Sequence, residues 1–178
     1  MSSSTKQAII ASFIKLVSKK PLEKITVRDI VDDCGINRNT FYYHFQDIFA
    51  VLEEICYQAT ARIDTALPFG EMLADFFLEI SAYAEQYPKA AQHLAASIGE
   101  RGTEHYFAKH LDEIIFTKIK ADAPDAALDM QRTATVFLRH ALIGLYLDFI
   151  NYCGKIEKTS LAARIGTLAE GVLNTLKP

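Results

Sequence analysis

The sequence predicts an all-α protein of about nine helices, and three observations carry that reading. Apolar residues recur at three- and four-residue spacing along the chain, with no alternating strand pattern between them. Only 8 Gly and 5 Pro occur in 178 residues, few enough for long regular elements joined by short connections. Half of the residues are hydrophobic and 23% are charged, an ordinary balance for a globular chain long enough to bury a core without disulfides or metals.

The elements follow in order. Ile9, Ile10, Phe13, Ile14 and Val17 form one stripe of a first helix that stops before Pro21. "ITVRDIVDDCG" reads as a short second helix, capped by Thr26 with Asp29 reaching back, and ended by Gly35. Asn37 caps a third short helix that runs to about Phe45. A fourth starts at Asp47, with Phe49, Leu52, Ile55 and Cys56 facing inward. Beyond Pro68 the helices lengthen: "FGEMLADFFLEISAYAEQY" ends at Pro88, "PKAAQHLAASIG" stops at Gly99, and "TEHYFAKHLDEIIFTKIKAD" precedes Pro124. The run from Pro124 to Gly154 allows one helix of about 30 residues. The last helix carries Leu161, Ile165, Leu168, Val172 and Leu176 at helical spacing. The change from short to long helices divides the chain into residues 1–46, a three-helix domain, and 47–178, a helical bundle.

Charge and cysteine usage narrow the function classes. Net charge is −3, which argues against wholesale coating of nucleic acid. Residues 1–47 hold seven Lys/Arg against five Asp/Glu, and the remainder holds 12 against 17, so a mildly basic head sits on an acidic body. Cys34, Cys56 and Cys153 are scattered and odd in number, which favours free thiols in a reducing cytoplasm. The opening "MSSSTKQAIIASF" lacks the cationic start and apolar core of a secretory signal. In the most apolar region, Ala134 to Ile150, Arg139, His140 and Asp148 interrupt the run, so no membrane span is expected. The sequence offers no phosphate-binding glycine loop, nucleophile elbow or paired-carboxylate motif, and neither an enzyme nor a cofactor is expected.

The stretch "CGINRNTFYYHF" points to a function. Two short helices joined by a Gly-containing turn have the proportions of a helix-turn-helix, whose second helix lies in the major groove. Phe41 and Phe45, four apart, share a face with Ile48 and Leu52, leaving Arg38, Asn39, Tyr42 and Tyr43 on the other side. Arg reads guanine bidentately and Asn pairs with adenine. Thr40, Tyr42 and His44 can donate to phosphate oxygens. Singly, each residue also fits a plainer role: Asn37 as a cap, Arg38 solvated, the tyrosines packed on the next helix. Their combination after a capped short helix is what favours nucleic acid.

The run "ITVRDIVDDCGINRNTFYYHFQDIFAVL" resembles the DNA-binding signature of the TetR family of transcriptional regulators. Thr26, Gly35, Thr40, Phe41, Tyr42, His44 and Phe45 fall on that pattern in register. The resemblance implies a cytoplasmic homodimer on a near-palindromic double-stranded operator, and a C-terminal body that dimerises through its last two helices. That body would answer to a small-molecule effector or a partner protein. Carried over, Thr26, Thr40, Tyr42 and His44 would hold phosphates, while Arg28, Asn37, Arg38, Asn39 and Tyr43 would sit near base edges. One position departs: many members have Lys three residues after the last Phe, where this chain has Ile48. The wider run "KKPLEKITV…NRNTFYYHFQDIF" looks closer to the subgroup resembling DhaS, in which Ile at this position is common. The departure motivates an alternative, a co-regulator of the same fold with weak or no DNA binding of its own.

The body is less specific. Ala162, Ala163, Gly166, Ala169 and Gly171 allow close helix packing, within a subunit or between two. His93, His105, His110 and His140 make no metal set; His105 and His110 are five apart and share no helical face. Arg139, His140, Tyr146 and Asp148 lie in an otherwise apolar helix and need partners, as a structural network or an effector pocket. Arg139, His140 and Tyr146 are the candidate ligand-binding residues.

Overall fold

The computed structural model describes residues 2–97, 104–152 and 156–177. The predicted helix stop at Gly99 and Cys153 lie outside them, as does the side chain of His105. Among the described residues there are nine α-helices and no strand: α1 Ser2–Val17, α2 Val27–Cys34, α3 Arg38–His44, α4 Ile48–Thr60, α5 Phe69–Gln86, α6 Pro88–Ser97, α7 Glu104–Asp122, α8 Leu128–Asn151 and α9 Lys158–Asn174.

The short helices begin and end where their capping groups lie. Thr26 accepts from the Asp29 N–H while the Asp29 carboxylate accepts from the Thr26 N–H, so the capping box at α2 is complete. Gly35 ends α2 in the left-handed region at φ 68°, a conformation that costs glycine little. Asn37 and Asp47 cap α3 and α4 with side-chain acceptors. The connection from α1 to α2 contains a 3₁₀ turn at Leu22–Lys24 that buries Leu22.

Two hydrophobic cores result. The first gathers Ile9, Phe13 and Val17 of α1, Ile30 of α2 and Phe41 and Phe45 of α3 on Val51 and Leu52 of α4. Ala90 of α6 joins it, so this core extends beyond the first three helices through α4 and α6. The second core fills the body, with Phe77 and Phe149 packed edge to face at 5.9 Å. Its tightest crossing is α5 on α9. A Cβ added to Gly166 would stand 2.8 Å from the Gly70 carbonyl oxygen, and one added to Gly70 would press on the Gly166 carbonyl harder still. The Glu170 carboxylate accepts from the Gly70 N–H at 3.1 Å, which satisfies one of the orphan donors at the start of α5.

Two expectations are corrected. The eighth helix is shorter than the run from Pro124 allowed, spanning 24 residues from Leu128. Ala127 is extended and uncapped by any side chain, and Gln131 donates to the Ala123 carbonyl, which holds 124–127 as a turn. Leu168 does not join the inner stripe of α9; it is 68% exposed, because Ala162, Ile165, Ala169 and Leu173 already fill the face against α5.

Candidate nucleic-acid interface and an adjoining cavity

On α3 the aromatic residues divide as the spacing of the sequence suggests. Phe41 and Phe45 are buried with ring centroids 6.1 Å apart, while Tyr42 and Tyr43 are 55% and 79% exposed. Tyr42 stands edge-on to Phe41 and Tyr43 edge-on to the half-buried His44, so both phenols are braced by rings at their base. Asn37, Arg38 and Asn39 are exposed at the start of the same helix. The resulting face presents a guanidinium, carboxamides and phenols beyond a rigid apolar root, the donor and acceptor mix that base edges and phosphates require.

The electrostatics around this face are largely self-cancelled. On α2, Asp29 pairs with Lys20 at 2.9 Å, Asp33 with Lys15 at 2.6 Å and Asp32 with Arg28 at 3.5 Å. Lys6 of α1 pairs with Glu54 at 2.7 Å. Among the described residues, Lys19, Lys24 and Arg38 are the head's cations without an ion pair, and Arg38 alone of these lies on α3. The Thr26 hydroxyl beside Asp29, then Lys20, holds that carboxyl down at about 2. Asp33 is likewise lowered by Lys15 and Ser12.

Several of the residues expected at phosphate are already engaged locally. The Thr26 hydroxyl donates to Asp29 at 2.6 Å and the Thr40 hydroxyl to Asn37 at 3.1 Å. Each must turn from its cap to donate to a phosphate. Asn37 serves α3 as its cap, accepting from the Thr40 N–H at 2.8 Å. Ile48 opens α4 half-buried against the head's core.

The three candidate ligand residues part company. The Arg139 guanidinium is bound to Asp112 at 2.7 Å across α7 and α8. His140 is exposed and its Nδ1 lies 2.8 Å from the Val136 carbonyl one turn back. Tyr146 alone of the three lines a cavity of about 230 Å³, where burial pushes its phenol up to about 12. Desolvation also raises the Cys56 thiol on the same wall to about 12, so it stays protonated and unreactive near neutrality. This cavity, at the junction of α1, α4, α5, α6 and α8, was not read from the sequence, since its lining is spread over helices far apart in the chain. Tyr83 and Tyr87, four apart just before Pro88 with rings tilted to each other at 6.2 Å, both belong to its lining.

Comparison with known proteins adds to this geometry. The family model described as bacterial regulatory proteins, tetR family, matches residues 9–55. A Bacillus subtilis (strain 168) protein named as the HTH-type transcriptional regulator YerO is 37% identical over 51 residues, which cover 29% of this chain and 18% of that relative's length. Similar solved structures include the dihydroxyacetone kinase operon activator DhaS, with a TM-score of 0.67, 17% identity and 98% of each chain covered. A TetR transcriptional regulator from Streptococcus agalactiae 2603V gives 0.66 at 21% identity over 94% of each chain. NalD, the secondary repressor of the MexAB-OprM efflux pump in Pseudomonas aeruginosa, gives 0.61 at 18% identity over 98% of each. At these identities the structures are alike in fold.

Proposed function

We propose that the chain is a transcriptional regulator of the TetR type, not an enzyme, and that it binds a near-palindromic operator as a cytoplasmic homodimer. Residues 1–46 form the DNA-reading part of this proposal and 47–178 the part that dimerises and receives a signal. The observation that carries the reading is the outward face of α3, where Arg38, Asn39, Tyr42 and Tyr43 are exposed over buried Phe41 and Phe45. Arg38, at the helix start without an ion pair among the described residues, is assigned to a base edge, with Arg28, Asn37, Asn39 and Tyr43 beside it. Thr26, Thr40, Tyr42 and His44 are assigned to phosphates. An activator and a repressor share this fold, so the fold alone does not set the sign of regulation.

The dimer is assigned to the outer faces of α8 and α9. Val136 and Phe137 on α8 and Leu168 on α9 are exposed, and Gly144 and Gly171 open onto free space. A run of 18 residues in α8 has a mean hydropathy of 1.3 with only 33% of it buried, long and apolar enough by composition to cross a membrane. The Arg139–Asp112 pair and the buried Gln131 on its inner side favour a helix packed in protein, with its outer side covered by a second copy.

The test is a fluorescence-anisotropy titration of the full chain against fragments flanking its own gene, at several salt concentrations. Salt-sensitive, sequence-selective binding that Tyr42→Ala abolishes is expected. Absence of selective binding at low salt overturns the proposal and leaves the co-regulator reading, which Ile48 favours. Sedimentation velocity checks the dimer, which Phe137→Asp should convert to monomer.

A further inference from the structure

We propose that Asp32 is a positioning residue for sequence recognition: its carboxylate orients the Arg28 guanidinium so that the outer pair of nitrogens meets a guanine edge. This rests on the regulator reading above and adds a device to its DNA-reading face. α2 carries three carboxylates, and two of them have structural partners. Asp29 closes the capping box at Thr26 and pairs with Lys20 at 2.9 Å. Asp33 accepts from Ser12 at 2.9 Å and from Lys15 at 2.6 Å, which ties α2 to α1. Asp32 is turned outward with its side chain 69% exposed, and its Oδ2 lies 3.5 Å from Arg28 Nε one turn back.

The pair does little for the helix that carries it. Arg28 stands in the first turn of α2 and Asp32 in the last, each at the end of the helix dipole that disfavours its charge. The cation also precedes the anion, the less favourable order for an i,i+4 pair, and both side chains are open to water. What the pair does change is the freedom of a long side chain. Arg28 is 76% exposed, and Asp32 is its one ion-pair partner among the described residues.

The direction of that restraint suits DNA. A guanidinium carries five N–H donors in one plane. With the carboxylate on the Nε side, the two Nη groups at the far edge remain free, and that edge matches O6 and N7 of guanine. Orienting the fork before docking reduces the entropy lost when the contact forms. The same carboxylate repels phosphate wherever the head lands. At ~10 Å in water one unit charge lowers affinity by about a factor of two, on every sequence alike, whereas orienting Arg28 helps only over guanine. Asp32 therefore weakens non-specific binding and strengthens specific binding, a pair of opposite signs that a purely structural side chain does not give.

The test is in vitro selection from a random double-stranded DNA library by the full chain and its variants, followed by anisotropy titration of the selected duplex and an unrelated one. The wild type should enrich a G·C pair in each half-site whose preference Arg28→Ala abolishes. Asp32→Asn should reduce discrimination at that same pair by about five- to tenfold, part of the roughly 5–150-fold that a bidentate contact supplies. It should also bind the unrelated duplex about twofold more tightly per head. Asp32→Glu, whose longer side chain still reaches Arg28, should restore discrimination, and the base pair that Arg38→Ala relaxes should ignore both Asp32 variants. With Arg28→Ala already present, Asp32→Asn should keep the non-specific gain and leave selectivity alone. Unchanged discrimination in Asp32→Asn, equal loss at every position, or a selectivity effect that persists without Arg28 overturns the positioning role. Failure of the wild type to enrich any site overturns the regulator reading and this inference with it, a result distinct from enrichment that ignores Asp32.

Discussion

The head and the body of this protein are held by interactions on different length scales. In the head and at the start of α4, the groups that fix each helix lie three residues apart: Thr26 with Asp29, Asn37 with Thr40, Asp47 with Ala50. In the body, a defining contact joins positions 100 residues apart, where Gly70 donates to Glu170 beside a crossing too close for any side chain. Local caps determine where a helix starts. They say nothing of how near two long helices approach, which depends on what is missing from each surface.

The comparison can be broken at its tightest point. Gly70→Ala forces a methyl group into the Gly166 carbonyl, backbone against which no rotamer can relieve it. The expected loss is about 2–3 kcal/mol, read as a lower urea midpoint at unchanged slope. An unchanged midpoint would mean that α5 and α9 can slide apart at little cost. Arg38→Ala comes next and acts only on recognition: about 1–3 kcal/mol lost at one preferred base pair, with selectivity there relaxed. Thr40→Ala, assigned to phosphate, should instead weaken all sites alike. If Arg38→Ala leaves the preferred operator unchanged, its assignment to a base edge is wrong.

The same contrast explains what could be read from the sequence. The capping box, the Gly35 stop and the split of Phe41 and Phe45 from Tyr42 and Tyr43 depend on spacing within one or two turns, and spacing is visible in a sequence. The small residues of α9 were visible too, but not which way they face: Gly166 meets α5, while Gly171 opens to solvent. Leu168 shares the helical spacing of Ile165 and Val172 yet lies outside, because such spacing fits more than one arc. Of the three candidate ligand residues on α8, Arg139 went to Asp112, His140 to the surface and Tyr146 to the cavity, a sorting set by α5 and α7 and absent from α8 itself.

A smaller effect probes the caps through pH. Asp29 titrates at about 2 in the folded chain against 3.8 for the free side chain, mainly because of the Thr26 hydroxyl. A depressed carboxyl contributes stability that is complete above its unfolded pKa and disappears as pH falls through the folded value. The head should therefore lose this contribution between pH 3.8 and about 2, and Asp29→Asn should flatten that part of the stability–pH curve. Thr26→Ala should cost about 0.5–2 kcal/mol near neutrality. Parallel curves for wild type and Asp29→Asn across that window would show that the box adds no charge-dependent stability.

Ile48 gives the smallest and most discriminating change. It opens α4 half-buried, with its side chain packed on the core that Phe41 and Phe45 build. A lysine there can lay its methylene stem over the same surface and carry its ammonium outward. If α3 lies in a groove, that ammonium meets the phosphate flanking it and releases one more counterion. The slope of log K against log[salt] should then steepen by about 0.9, which is roughly eightfold tighter binding at ~0.1 M salt, equally for specific and unrelated sequences. An unchanged slope would place the start of α4 away from the backbone and, with it, the whole docking of α3 proposed above. A steeper slope without any gain in selectivity is the expected result, because phosphate contacts position the head while Arg38 and Asn39 are left to read the sequence.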